Sequence, residues 1–480
     1  MSSLAELAEL DRLWIGGTWS PPAEARTFDD LRPLDSQVYA RVARGGIADI
    51  NRAVAAAKQA FGTYRHCLAK DREAWLMEAA HLLSRRKPQF MDALIDEIGS
   101  PLKKAEFEFG KALSMLRAAS GMARQAKGEV IPSDHAGRVS LSIRQPLGVV
   151  AAITPFNVPL IKGVRLTANP LALGNTVVLL PSEEAPIIAV MLADLYDEAG
   201  IPKGALNVVS GFGHEIGDAL TSHPDVSMVT FTGSSRVGAH IQRICAERNK
   251  RVTLELGGKS PMVVLADADL EKAVPAAIHG IFTFQGQVCM GNSRIYVERP
   301  VFDSFVSAFV SATERLGMGD LRDPQTTIGP IISERQRQRV RHHIADAVEK
   351  GATLLTGGKW DGNRCQPTIL TGVTEDMICC KEETFGPVVA VYPVDNYEEA
   401  LRCANDTRYG LSSAIFTRDL ERSMHFAQHV GAAMCHINAS ALQDEPHVPF
   451  GGNGASGMGR EGTYADIEAM TEVKWITIND

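Results

Sequence analysis

An α/β fold with two parallel-sheet domains is what this sequence predicts, and three observations lead there. Its 480 residues exceed what one hydrophobic core normally serves. Between about residues 176 and 265, short apolar runs alternate with helix-period segments, the signature of βαβ units. A second such alternation runs from about 293 to 430.

Taken in order, the early chain reads as helix. Ile47, Ile50, Val54 and Ala57 recur at helical spacing, a second helical stretch covers about 70–97, and a third runs from about 101 to 126. Alternation at Val139, Leu141 and Ile143 marks a strand, and the apolar run from Val149 to Ile153 suits a buried one. Strands follow at 176–180, 207–209, 226–231 and 252–256, separated by helices at 185–199, about 214–222 and 235–248. The second region predicts strands at 293–297, 388–392 and 413–416, with helices at 302–315, 397–405 and 419–430. Residues 472–478 alternate as a closing strand.

Composition narrows the class. Hydrophobic content of 45% and charged content of 22% are ordinary for a globular protein. A net charge of -8 and a pI near 5.9 give no footprint for nucleic acid or an anionic membrane. No apolar run is long enough to span a bilayer, and Met1-Ser2-Ser3-Leu4 lacks a signal-peptide pattern. Eight cysteines without paired metal spacings read as reduced thiols of a cytoplasmic protein, with no metal site expected. The neighbouring Cys379 and Cys380 fit neither a redox CxxC pair nor a zinc knuckle.

Several loops carry candidate chemistry. Cys289 stands in Gln285-Gly286-Gln287-Val288-Cys289-Met290, and Glu255 opens Glu255-Leu256-Gly257-Gly258-Lys259-Ser260. A thiol can attack an electrophilic carbon and a carboxylate can then deliver water, which together suggest covalent catalysis followed by hydrolysis. Taken singly, each has a plain structural reading as a small buried apolar residue or a solvated charge. Asn157, in Thr154-Pro155-Phe156-Asn157-Val158-Pro159, is a turn former or an amide donor to an oxyanion. Gly233 and Ser234 lie between a strand and a helix, where backbone amides hold a pyrophosphate or a serine merely caps the helix. Gly211-Phe212-Gly213-His214-Glu215-Ile216-Gly217 has one residue too many for a dinucleotide fingerprint. Glu382-Glu383-Thr384-Phe385-Gly386-Pro387 and the glycine-rich run from Val448 to Glu461 complete the set.

In order and number, these motifs resemble the NAD(P)-dependent aldehyde dehydrogenase superfamily across essentially the whole chain. The resemblance implies a Rossmann-like cofactor domain (1–126 and 147–255), a catalytic domain (256–468) and a small β oligomerisation arm (127–146 and 469–480). It implies Cys289 as nucleophile, Glu255 as general base and Asn157 as the side-chain half of the oxyanion hole. Gly233 and Ser234 resemble the pyrophosphate turn, and Glu383 and Phe385 the residues on the nicotinamide ribose and ring. Ile153, Thr154, Phe156 and Leu256 fall in the stretches lining the cofactor cleft. A homo-oligomer, dimer or tetramer, is implied as well.

Two departures from the family pattern stand out. Leu180 occupies the place of a lysine that commonly holds the adenosine ribose, and Phe156 replaces a common tryptophan. Glu183 can still accept from ribose hydroxyls and would repel a 2′-phosphate, which favours NAD over NADP. The run from His436 to Gly452 and the segment Gly163-Val164-Arg165 resemble the members that oxidise vanillin, benzaldehyde and salicylaldehyde. Arg165 is expected either at the substrate tunnel, meeting a ring hydroxyl or π face, or on the surface. The expected reaction is NAD-dependent oxidation of an aromatic aldehyde to its acid. An aliphatic aldehyde or semialdehyde substrate is the alternative, followed by a non-catalytic binding protein on the same scaffold.

Overall fold

The computed structural model describes residues 9–479. Two sheets organise it. The first has eight strands, among which Leu206–Val208, Thr176–Leu180, Val149–Ile153, Val226–Thr232 and Arg251–Glu255 lie side by side in parallel. These strands are Val- and Leu-rich and nearly all buried, as a sheet with helices on both faces requires. The chain winds outward from Val149–Ile153 to Leu206–Val208, then returns to add Val226–Thr232 on the other side. The order therefore reverses between Val149–Ile153 and Val226–Thr232, and ligands of open parallel sheets bind at such a reversal.

The second sheet has seven strands, with Pro261–Val264 between Arg294–Glu298 and Ser412–Phe416. All its pairings are parallel except that of the edge strand Thr353–Thr356. Residues 256–260 are thus the passage from one sheet to the other. The chain also comes back: Gly457–Met458 pairs with Leu254 and Glu255 at the edge of the first sheet, inside the stretch expected to belong wholly to the catalytic domain.

A third sheet of three strands joins Glu129–Ile131, Arg138–Pro146 and Thr471–Asn479. The last two pair along their full length, from Thr471 opposite Pro146 to Asn479 opposite Arg138. This sheet exposes Val130, Val139 and Ile478 on one face and Val473 and Trp475 on the other.

The helices predicted from periodicity match closely, but one of them splits in two, and Pro159–Ala172, Leu270–Phe282 and Glu334–Glu349 are among those added by the structure. The stretch 70–97 is two helices, Ala69–Arg85 and Lys87–Asp96, because Pro88 sits at the start of the second, where its missing N–H costs nothing. Helix Glu334–Glu349 was not expected from the sequence, its face being mostly Arg, Gln and Glu with only Val340, Ile344 and Ala347 to bury. Among the described residues, no helix is long and apolar enough to cross a membrane, and no group of three His, Cys, Asp or Glu side chains is placed to hold a metal ion. Every cysteine is a free thiol. The expectation drawn from Met1 to Leu4 lies outside the described residues.

Candidate active site

The first sheet ends at Glu255, and the five residues after it bring three functional segments together. A Cβ on Gly258 would run into the carbonyl of Cys289, and one on Gly257 into the carboxylate of Glu383. Only glycine lets this loop approach both. The Gly258 amide then donates to Glu383 Oε1 at 2.9 Å. Glycine spacing alone could suggest a tight turn; the structure supplies what lies against it.

Cys289 is reached through a strained turn. Phe284 and Gln285 have φ of 49° and 45°, a left-handed conformation that costs non-glycine residues about 1–3 kcal/mol each. Side-chain amides hold the turn. Gln285 donates to Pro330 O at 2.8 Å and accepts from Gly329 N at 3.0 Å, and Gln287 accepts from Ile332 N at 3.0 Å. Asn157 comes in from the other side, its Nδ2 donating to Gln287 O at 2.9 Å. That bond uses one of its two N–H groups and orients the other.

The thiol of Cys289 keeps some open surface, yet burial pushes it up to about 12. Lys162 opposes the shift, whereas Glu383 and Glu255 reinforce it. Glu255 is buried, and neither of its carboxylate oxygens has a hydrogen-bond partner in the described structure. Burial, then the charge of Glu461, raise its carboxyl well above the ordinary range, while Lys162, Arg165 and Arg460 pull the other way.

Lys162 and Glu461 are the residues that sequence reasoning passed over. Lys162 Nζ lies 2.7 Å from Glu461 Oε2 and 5.0 Å from the centre of the Phe450 ring. Burial alone would raise Glu461, but the two cations Lys162 and Arg165 together bring it below the ordinary value. A signal was present: a lysine in a helix, Pro159–Ala172, whose other residues are nearly all apolar or small. Such a charge, wholly buried, needs a partner.

Arg165 departs from the surface expectation. Every residue of its helix is buried, Arg165 included, so it is no surface arginine. Its Nη2 donates to Asp444 Oδ1 at 2.9 Å and its Nη1 to Glu461 Oε2 at 3.2 Å. Two carboxylates occupy the fork that a ring hydroxyl would need, and the guanidinium lies 5.5 Å from the Phe450 ring.

The remaining expected residues gather at the sheet reversal. Ile153 ends one strand, and Thr154 N donates to Leu180 O at 3.2 Å. Gly233 N donates to Glu255 O at 3.0 Å, and Ser234 caps helix Ser235–Glu247 by accepting from Val237 N. The first N–H groups of that helix have no carbonyl of their own to bond. Together with half-buried Glu183 at the end of the next strand but one, they suit the pyrophosphate and ribose of a dinucleotide. Leu256 packs its side chain against Gly238 of the same helix. Across the cleft, Phe385, itself at φ 55°, sets its ring edge-on to Phe156 with centroids 5.8 Å apart. Glu383 is half-buried, and desolvation moves its carboxyl up to about 7.

Residues 19–476 match the model of the aldehyde dehydrogenase family. The chain belongs to this family. It is 41% identical to a vanillin dehydrogenase of Pseudomonas fluorescens over 471 residues, 98% of each chain. It is also 39% identical to a 3-sulfolactaldehyde dehydrogenase of Priestia aryabhattai over 487 aligned positions, all of both chains. Among solved structures, a salicylaldehyde dehydrogenase from Pseudomonas putida G7 complexed with salicylaldehyde superposes with a TM-score of 0.95 at 37% identity, covering 98% of each chain. As an aldehyde dehydrogenase, the protein carries the family's cysteine-based oxidation of an aldehyde to an acid.

Proposed function

We propose that this aldehyde dehydrogenase oxidises aromatic aldehydes of the vanillin, benzaldehyde and salicylaldehyde kind to their acids, with NAD as the favoured acceptor. One observation carries the reading: Gly258, in the loop that follows Glu255, lies against the Cys289 carbonyl, and Asn157 is tied to the same segment. The Cys289 sulfur, as thiolate, attacks the aldehyde carbon. The oxygen that gains charge accepts from the free N–H of Asn157 and from the Cys289 amide, donors that are fixed before the reaction. A nicotinamide bound in the cleft supplies a hydride acceptor. Glu255, once ionised, takes a proton from water that attacks the Cys289 thioester, and the acid leaves.

Glu383 at the ribose position, and Phe385 beside Phe156, support a nicotinamide in front of the sulfur. Glu183 supports NAD, since its charge disfavours a 2′-phosphate. Leu180 supplies no charge to the adenosine ribose, which leaves that contact to Glu183. The exposed apolar residues on both faces of the three-stranded sheet support self-association through that arm, and the free thiols support a reducing, cytoplasmic setting.

A kinetic panel tests the reading. Ring-substituted benzaldehydes should give kcat/KM values at least about tenfold above those of straight-chain aldehydes and of semialdehydes, with NAD preferred over NADP and no requirement for coenzyme A. Higher values for short aliphatic or acidic aldehydes would favour the aliphatic reading instead.

A further inference from the structure

A buried ion pair outside the reacting groups touches both halves of the site. Lys104 and Glu108 lie one turn apart on helix Leu102–Met122, with Lys104 Nζ 2.5 Å from Glu108 Oε2, and both are buried. The same Nζ donates to the carbonyl of Asn157 at 2.8 Å. Glu108 Oε1 accepts from Leu160 N at 2.9 Å and from Ile161 N at 3.4 Å. Those are first-turn amides of helix Pro159–Ala172, whose N-cap, Val158, has no side chain able to cap. A carboxylate from another helix therefore does the capping, and an ammonium fixes the peptide just before it.

Lys104 also reaches the other half. Its Nζ stands 3.9 Å from the centre of the Phe284 ring, in cation–π contact with the left-handed turn that leads to Cys289. One cation thus spans the peptide that carries the Asn157 amide and the turn that carries the sulfur. Burial lowers the Lys104 ammonium, and Glu108 acts against that loss.

We propose that Lys104 and Glu108 are positioning residues for the oxyanion hole. They hold the Asn157 amide and the Cys289 turn in one register, so that the free N–H of Asn157 meets the oxygen of the aldehyde bound to sulfur. Neither touches the substrate. The proposal rests on the reading of Asn157 as the oxyanion donor.

The test is a double-mutant cycle of Lys104→Met with Asn157→Ala on the full chain with vanillin and NAD. It reads single-turnover NADH formation, KM for NAD, and the rate at which iodoacetamide alkylates Cys289, a reaction that builds no oxyanion. Lys104→Met should slow NADH formation roughly 30- to 300-fold, in the range of a lost oxyanion donor. KM for NAD and the alkylation rate should stay within about twofold, because the Gln285 and Gln287 side-chain bonds still hold the Cys289 turn while the Asn157 peptide loses its anchor. In the Asn157→Ala background, Lys104→Met should remove no more than about threefold further, since the effects pass through one group. Glu108→Gln, which keeps the shape of the pair, should slow NADH formation in the same sense but less, and serves if Lys104→Met does not fold. Losses that multiply in the double variant, or alkylation that falls in parallel with turnover, would overturn the proposal. An Asn157→Ala protein with undiminished turnover would instead remove the reading of Asn157 itself.

Discussion

Cys289 and Cys365 have thiols pushed to the same place, about 12, and by the same leading cause, burial. Yet one stands in the candidate active site and the other in a core. Cys365 is fully buried among Ile331, Val340, Leu370 and Val388, and what favours its thiolate is Thr368, then a weaker pull from Arg341. Cys289 is only half-buried and feels the charges of Lys162, Glu383 and Glu255, groups that can change charge. A raised thiol is therefore no mark of inertness or of reactivity. What separates the two is the set of ionisable neighbours and a path to solvent.

The sharpest way to break that comparison is to delete each sulfur. Cys289→Ala should lose NADH formation by at least roughly 10³-fold, whereas Cys365→Ala should keep kcat within about twofold and lose only about 1–2 kcal/mol of stability. Steady-state assay and thermal unfolding would show this. Next comes the base. Glu255→Gln should retain a first turnover of NADH while steady-state turnover falls about 10²- to 10⁴-fold, because the thioester forms but water is not activated. Loss of the burst as well would place Glu255 elsewhere in the cycle.

Glu461, which pairs with Lys162 beside Cys289, is held by Arg165 as well. Arg165→Met should cost about 3–5 kcal/mol in chemical unfolding, since it strips a buried Glu461 and a nearly buried Asp444 of a cation. A loss under 1 kcal/mol, with a selective rise in KM for hydroxylated benzaldehydes, would restore a substrate role. Alkylation rates sharpen the picture further. With a thiol near 12, iodoacetamide labelling of Cys289 in the free enzyme should rise about tenfold per pH unit from 7 to 10 without a plateau. Lys162 favours the thiolate, so Lys162→Met should slow labelling at any fixed pH.

The smallest effect concerns Asp466, which burial, then Glu461, raise to about 7. Its protonated form is favoured in the fold. Its stabilisation is complete below the unfolded value near 3.8 and is lost as pH climbs to about 7. Asp466→Asn should therefore flatten the pH dependence of stability between about 4 and 7, by up to about 1.4 kcal/mol per unit. Unfolding curves across that window would decide it.

Much of the fold was legible because period and composition agree with burial. Val149–Ile153 and Thr176–Leu180 are apolar throughout, and they lie inside the first sheet. Glu334–Glu349 escaped notice because its buried face is narrow and its polar face is dense with arginine and glutamine. Of the candidate site, Cys289, Glu255 and Asn157 were named on the resemblance of their motifs, and the fold brings the Asn157 and Cys289 segments together. The supporting charges were not. Lys104, Glu108, Lys162 and Glu461 meet partners tens to hundreds of residues away, and the carboxylate partners of Arg165 were unseen for the same reason. Pairing at such separations leaves no local pattern; it is fixed only once the two helices and the glycine-rich loop have packed.

The most direct measurement is peptide mass spectrometry of acid-quenched Glu255→Gln protein after one turnover with vanillin and NAD. A vanilloyl mass on the peptide containing Cys289, and on no other cysteine, is the expected result. Acyl mass at a different residue, or NADH released with no acyl-enzyme at any quench time, would contradict a thioester held on Cys289 and cleared by Glu255.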